Sequence, residues 1–432
     1  MAIPMLESDP RSRPRPHTFF PPKLNRCVTW LCKRTARFKI RRKLKVVDIE
    51  ISSEDLDTLR SLRGKRCLLM PSHSGGFEPY LVVYLSKLLR DDYYYLAAIE
   101  AFQRHPIIGW IMQRMGAYSI VRGAADRLSF QTTRKLLAEG KHWLVVFPEG
   151  QTVWQNDTVI PFQEGVTQLA FKALEDAGSV REDSDLACIP MAIKYVYLNN
   201  MESDVEESLR RLESQLFKEP VPDVASSYDR IRRIGEAVLA ANEQRHGIQP
   251  DADAQLDSRI QCIKEAIVRE IEQQLGIVPR ANMQLLDRIR GCFNAVDRIV
   301  SADASETPYR QKLADEHSRA AAALYDDLWR VLQFVAIYDG YVSELLTVER
   351  FMDVLCLLEM EVFNERRIWG PRKAIIKVGE PISLRDHLDT YRAGKRSAVQ
   401  AVSMAAESSV RSMLEHLSTE HSTPMNGDGV VR

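Results

Sequence analysis

Cysteine is scarce and unpatterned in this chain. Seven cysteines in 432 residues stand at 27, 32, 67, 188, 262, 292 and 356, and no two are spaced C-x-x-C. That scatter argues against a disulfide framework or a cysteine zinc site and fits a reducing cytoplasm. Glycine and proline number 20 each, too few for a low-complexity or collagen-like chain. No run of 18 apolar residues is free of charge, so a membrane-spanning helix is not expected. The first residues lack the compact apolar stretch of a secretory signal. No internal repeat recurs at the periods of solenoids. Net charge is missing as well, since 59 basic residues face 59 acidic ones.

The zero hides an asymmetry. Residues 1–47 hold 13 Lys or Arg against Glu7 and Asp9, a net +11. The densest part, Lys33 to Lys45, interleaves its cations with Phe38, Ile40 and Leu44, and Val28, Trp30 and Leu31 precede it. Cations mixed with Trp, Phe and Leu are the composition of an interfacial membrane helix, and each cation near an anionic leaflet adds about 1 kcal/mol. Two other readings stay open: a solvated helix that packs Trp30 and Phe38 on the main domain, and a nucleic-acid segment. The membrane surface carries the most weight and nucleic acid the least. Prolines 10, 14, 16, 21 and 22 make the first ~20 residues read as an irregular leader.

An apolar share of 45% and this length allow a domain of ordinary size with a second domain or a large insertion. Between 66 and 198, short apolar runs alternate with helical periodicity. Cys67–Met70, Tyr94–Ile99, Tyr118–Val121, Trp143–Phe147 and Leu186–Tyr197 read as strands, and the stretches between them as helices. Continuous apolar strands of this kind belong to a sheet covered on both faces. From about 199 the text becomes charged and helical, in stretches at 201–217, 224–245, 252–275, 279–300 and 307–367. Strand character returns at Lys373–Val378, and a helix follows at about 395–417. The expected fold is α/β: a mixed, largely parallel sheet flanked by helices, with a large helical insertion before the last strand. The expected divisions are a basic segment 1–47, a core 48–198, an insertion 199–370, the return of the core at 371–420 and a flexible tail 421–432.

Four elements carry the chemistry. Pro71-Ser72-His73-Ser74-Gly75-Gly76-Phe77-Glu78 joins a strand to a helix, and Gly75-Gly76 can turn the chain so that Glu78 meets one imidazole nitrogen. The carboxylate would fix the tautomer and leave the other nitrogen as a base. Gly116–Gly123 ends a strand with Arg122. Phe147-Pro148-Glu149-Gly150-Gln151-Thr152 follows the buried strand, and Pro190 lies in a later one. Loops beyond strand ends are where open α/β sheets gather their sites. His105, His142 and Tyr93-Tyr94-Tyr95 have no patterned partner and read as packing residues. The apolar stripe of Leu345, Phe351, Met352, Val354, Leu355, Leu358 and Met360 reads as core or a helix contact.

In this order and spacing the four elements resemble the glycerolipid acyltransferase family, of the lysophosphatidate acyltransferase type, whose blocks are H-x4-D, a block ending in Arg, F-P-E-G and a Pro-bearing apolar strand. The resemblance covers residues 66–198, and 372–384 loosely. Asn156-Asp157, Pro161-Phe162 and Glu164-Gly165 are similar to soluble bacterial members. The resemblance implies that His73 deprotonates an acceptor hydroxyl that attacks an acyl thioester, with Glu78 orienting His73 and no acyl-enzyme. It implies that Arg122 binds a phosphate or other anionic head group, that Phe147, Pro148, Glu149, Gly150, Gln151 and Thr152 shape the acceptor site, and that Pro190 lies near the acyl chain. The partners implied are an acyl-CoA or acyl-ACP donor, a lysolipid or glycerol-phosphate acceptor and an anionic membrane surface, with no metal, cofactor or nucleic acid. The expected location is the cytoplasmic face of a membrane, bound peripherally.

The chain departs from the pattern twice. Glu78 stands where most of the family has Asp, although late acyltransferases of lipid A assembly use H-x4-Glu. Gln151 stands where Thr usually follows F-P-E-G, and the common Arg-Ser is absent. These departures leave room for an acyltransferase with a non-glycerol acceptor, or for a non-catalytic lipid-binding scaffold.

Overall fold

In the computed structural model we describe residues 3–4, 18–178, 184–218, 226–250, 254–302, 323–332, 338, 340–343 and 345–425. The core strands are β1 (Val46–Ile51), β2 (Arg66–Pro71), β3 (Tyr93–Ala98), β4 (Ala117–Ile120), β5 (Trp143–Val145), β6 (Leu186–Tyr197), β7 (Arg372–Val378) and β8 (Ile382–Ser383). They form one eight-stranded sheet in the order β1-β7-β6-β2-β5-β3-β4, with β8 paired to β6. The run from β6 to β4 is parallel, as is β1 on β7. The β6–β7 and β6–β8 pairs are antiparallel. The sheet is therefore mixed and mostly parallel, as the sequence leads one to expect.

Alternation along the strands explains why both faces are covered. In β2, Cys67 and Leu69 face one cluster, and Leu68 and Met70 face the other. The first cluster lies beneath helices α1 (Arg26–Leu44), α2 (Ser53–Ser61) and α3 (Glu78–Leu88). The second lies beneath α6 (Arg127–Glu139), α7 (Glu164–Gly178) and the long C-terminal helix (Lys395–His421). The short helices α4 (Ile99–Gln103) and α5 (Pro106–Arg114) link β3 to β4.

The insertion supplies α8 (Glu202–Leu216), α9 (Ser227–Arg245), α10 (Leu256–Leu275), α11 (Leu285–Ala302) and α12 (Val348–Phe363). Phe351, Met352, Leu355 and Leu358 of the apolar stripe are buried in its core. A second insertion cluster takes in Val153 and Ile160, which belong to the loop after β5. The insertion is thereby packed against the core loops. The leader at 5–17, residues 307–322, 333–337, 339 and 344 of the expected 307–367 helical stretch, and the tail beyond 425 lie outside the described residues.

One local expectation needs correcting. The solvated-helix reading packed Trp30 and Phe38 on the domain, but these side chains are 62% and 65% exposed. The helix instead buries Thr29, Ala36, Ile40 and Leu44, the face turned away from them at 3.6 residues per turn. A second point is Val46–Ile51, which carries Asp48 and Glu50 and is absent from the strands read in the sequence. It pairs in parallel with β7 at the sheet edge, where outward acids are tolerated.

Candidate active site

His73 sits in the loop between β2 and α3, and Glu78 opens α3 at the position before Pro79. The loop is pinned to β6, since Ser72 N–H donates to the Met191 carbonyl at 2.9 Å and Ser72 Oγ accepts from Ile193 N–H at 3.0 Å. Gly76 takes a φ of +79°, which swings Glu78 back toward His73. The Glu78 Oε2 to His73 Nδ1 distance is 2.7 Å. Oε1 accepts from Gly75 N–H at 2.6 Å and from the Tyr195 hydroxyl at 2.9 Å. A Cβ on Gly75 would fall 2.7 Å from Oε1, so glycine makes the room that the longer acid needs.

The electrostatics follow from these contacts. Glu78 is fully buried, and burial alone would raise its pKa, but the hydrogen bonds and charge interaction with His73, the backbone bond and the Tyr195 bond outweigh it and hold the carboxyl below its usual range. An ionised carboxylate only accepts, so the proton of this contact sits on Nδ1, which in the neutral ring leaves the lone pair at Nε2. The imidazole lies against Phe147 with ring centroids 4.3 Å apart.

A second carboxyl meets the same residue from below. Glu149 Oε1 accepts from His73 N–H at 2.8 Å, and Oε2 from Ile160 N–H at 3.3 Å. Burial pushes Glu149 up to about 8, with Glu78 adding repulsion. Two acids beside one histidine are thus driven in opposite directions.

Arg122, two residues beyond β4, reaches the same turn. Its Nη1 donates to the Gly150 carbonyl at 3.2 Å, and its Nη2 to Glu100 at 3.3 Å. Gly150 has a φ of +70°, and its N–H closes a turn on the Phe147 carbonyl at 3.0 Å. Pro148 is buried, and its carbonyl accepts from Gln163 N–H at 2.8 Å. Gln151 is buried with no partner for Nε2, and Thr152 is half-buried beside Gly76. The geometry therefore brings His73, Glu78, Phe147, Glu149, Gly150 and Arg122 into one cluster. Pro190 is the outlier: it lies within β6, paired with Met70, and its carbonyl accepts from Gly379 N–H. His105 caps α5, His142 contacts Asp91, and Tyr93 stacks on Trp143.

Residues 28–194 match the family model described as Acyltransferase. Over this stretch the chain is similar to an acyltransferase domain. The matched residues take in all four sequence blocks, and the match supports a general acyltransferase role. No curated protein and no solved structure matches the chain. Among the described residues, no group of His, Cys, Asp or Glu could hold a metal ion, and no helix is long and apolar enough to cross a membrane.

Several residues of the candidate site are not signalled by the motifs. Tyr195, on β6, holds Glu78 from 117 positions away. Its parity with Met191 and Ile193, which share the α3 side of the sheet, is the one available clue. Arg366 donates to the Gly75 carbonyl at 2.9 Å and lies 3.6 Å over the Trp154 ring, and burial lowers its pKa to about 10. Arg290, from α11, donates to the Glu149 carbonyl at 3.0 Å. Farther out, Asp157 pairs inside the protein with Lys194 of β6 and with Arg350 of α12. Asn156 exchanges hydrogen bonds with both backbone groups of Tyr195.

Proposed function

We propose that the protein transfers a fatty acyl chain from an acyl thioester, carried by coenzyme A or acyl carrier protein, to the hydroxyl of a lysolipid or glycerol-phosphate acceptor. The observation that carries this reading is the 2.7 Å contact between His73 Nδ1 and a Glu78 carboxylate that is itself held by Gly75 and Tyr195. Glu78 fixes the ring, and Nε2 takes the acceptor's hydroxyl proton as its oxygen attacks the thioester carbonyl. The tetrahedral intermediate collapses by breaking the C–S bond, and the imidazolium returns its proton to the departing sulfur. Donor and acceptor meet directly, so the path needs no acyl-enzyme. Arg122 faces the acceptor's anionic head group, whose oxygens suit a guanidinium fork.

The protein works at a membrane surface in this reading. Trp30, Leu31 and Phe38 of α1 are exposed beside Arg34, Arg41 and Arg42, and the exposed Ile107, Ile108 and Trp110 lie on α5, which α1 contacts. An exposed helix face that is both apolar and basic suits an anionic leaflet. The acceptor screen that tests the function incubates purified protein with a labelled acyl thioester and a panel of lysolipids, glycerol 3-phosphate and non-glycerol alcohols. Mass spectrometry should show an acyl ester on a glycerophosphate acceptor. Transfer to a non-glycerol alcohol alone would replace the acceptor, and transfer to none would remove the reading.

A further inference from the structure

Two apolar clusters meet inside the helical insertion. One takes in Ile231, Val238, Val342 and Leu358, the other Ile263 and Ile267. They do not close on each other: a cavity of about 170 Å³ stays open between α9, α10 and α12, lined by all six of these buried side chains. A protein core ordinarily leaves few voids larger than a water molecule, because the atoms around a void lose their contacts. Gly235, which also lines the cavity, helps to keep it open. It lies in the interior of α9, where glycine is a poor helix former, and a Cβ on it would meet nothing within 4 Å.

The charge around the cavity has one sign. Arg232, Lys264 and Arg330 line it, and among the described lining residues there is no Asp or Glu. Arg232 meets Glu236 at 3.3 Å, and Arg330 meets Asp327 and Glu361 at 2.9 Å each, but none of these acids lines the cavity. Lys264 is 2% exposed, and burial lowers its pKa to about 8. An anion brought beside such an ammonium favours its charged form, and a second cation does the reverse. Aliphatic walls with cations and no acids therefore suit an alkyl chain that ends in an anion. The size sets its length: an apolar cavity of about 150 Å³ holds a six-carbon guest, so this one suits a chain of about eight carbons with its head toward the polar lining.

We propose that this cavity is a binding site for a fatty carboxylate of medium length, with the tail held between α9, α10 and α12 and the carboxylate held by the cations of the lining, Lys264 first among them. Every lining residue named here belongs to the insertion, so the site is separate from His73 and Glu78 and does not depend on the acyl-transfer reading.

Calorimetric titration of the full chain with octanoate, 1-octanol and octylammonium tests this. Octanoate should bind about tenfold or more tightly than 1-octanol, and octylammonium should bind least. Gly235→Leu places a side chain in the open room and removes a helix-interior glycine. It should weaken octanoate tenfold or more at a melting temperature no lower than the parent's. Lys264→Met keeps the length of the side chain without its charge, and should weaken octanoate about tenfold while leaving 1-octanol unchanged. Three results overturn the proposal: no binding of octanoate, binding of octylammonium as tight as that of octanoate, or an octanoate Kd that Gly235→Leu leaves unchanged, which would put the bound chain elsewhere on the protein. If either variant does not fold, the other decides together with the three ligands. The readout needs no acyl transfer, so a protein that binds octanoate in this manner yet transfers nothing refutes the catalytic reading only.

Discussion

At the residue scale the site turns on how Glu78 is held. Its two oxygens take three hydrogen bonds, from His73, Gly75 and Tyr195. Tyr195→Phe removes one of them, and a bond to a charged group is worth about 1.5–3 kcal/mol. Acyl transfer should fall about tenfold or more in that variant while both KM values hold, and unchanged turnover would show the tyrosine to be packing alone. Glu78→Gln should lose more, because an amide stabilises the imidazolium poorly. The second acid makes a separate prediction. Glu149 has a folded pKa of about 8 against an ordinary 4.5, so the folded state keeps a proton that the unfolded chain releases between those values. Its stabilising contribution is full below the unfolded pKa and is lost as pH rises toward the folded one. The melting temperature of the parent should therefore fall more steeply from pH 5 to pH 8.5 than that of Glu149→Gln. Parallel slopes would mean that Glu149 ionises normally. Of these residues, His73, Glu78, Arg122 and Glu149 stand in local patterns that the sequence displays. Tyr195, Arg290 and Arg366 meet the site from 117, 141 and 291 positions away, and no short pattern encodes such contacts. The clue to Arg290 is a cation four residues after Leu286, on the buried stripe of its helix.

At the element scale, α1 shows both the strength and the limit of composition. Its mixture of cations with Trp and Phe is plain in the sequence, but which face packs is decided by periodicity. Ala36, Ile40 and Leu44 enter the core beside α3, and the aromatic residues are left outside. Removing the whole helix would therefore cost the fold, so vesicle binding is better tested by side-chain change. Trp30→Ala with Phe38→Ala should weaken binding to anionic vesicles, and the binding of the parent should decline as salt rises. Melting should be unchanged, since both side chains lie mostly in solvent. Salt-independent binding, or binding indifferent to the double variant, would return α1 to an ordinary solvated helix. The strands that are apolar on both faces, such as β2 and β6, were legible because burial of both faces leaves an unbroken apolar run. The edge strand β1 was not, because half of its residues stay wet.

At the scale of the whole molecule, the chain is an α/β sheet domain whose last strands follow a long helical excursion. The sequence shows that plan in the change of style near 199 and in the return of strand character at Lys373, but not how the excursion is attached. The attachment is made of side chains distant in sequence: Arg290 on the Glu149 turn, Asn294 on Arg122, Arg350 on Asp157 and Arg366 on Gly75. All four reach loops that surround His73 or stand next to it, so the insertion and the candidate site share one scaffold. The central claim is that His73, oriented by Glu78, is the base of an acyl transfer. Its most direct test is the rate of thioester-dependent acylation by His73→Ala beside the parent, with melting recorded for both. The account expects a loss of about 10²-fold or more at unchanged melting; a variant that melts like the parent and acylates at close to the parental rate would contradict it.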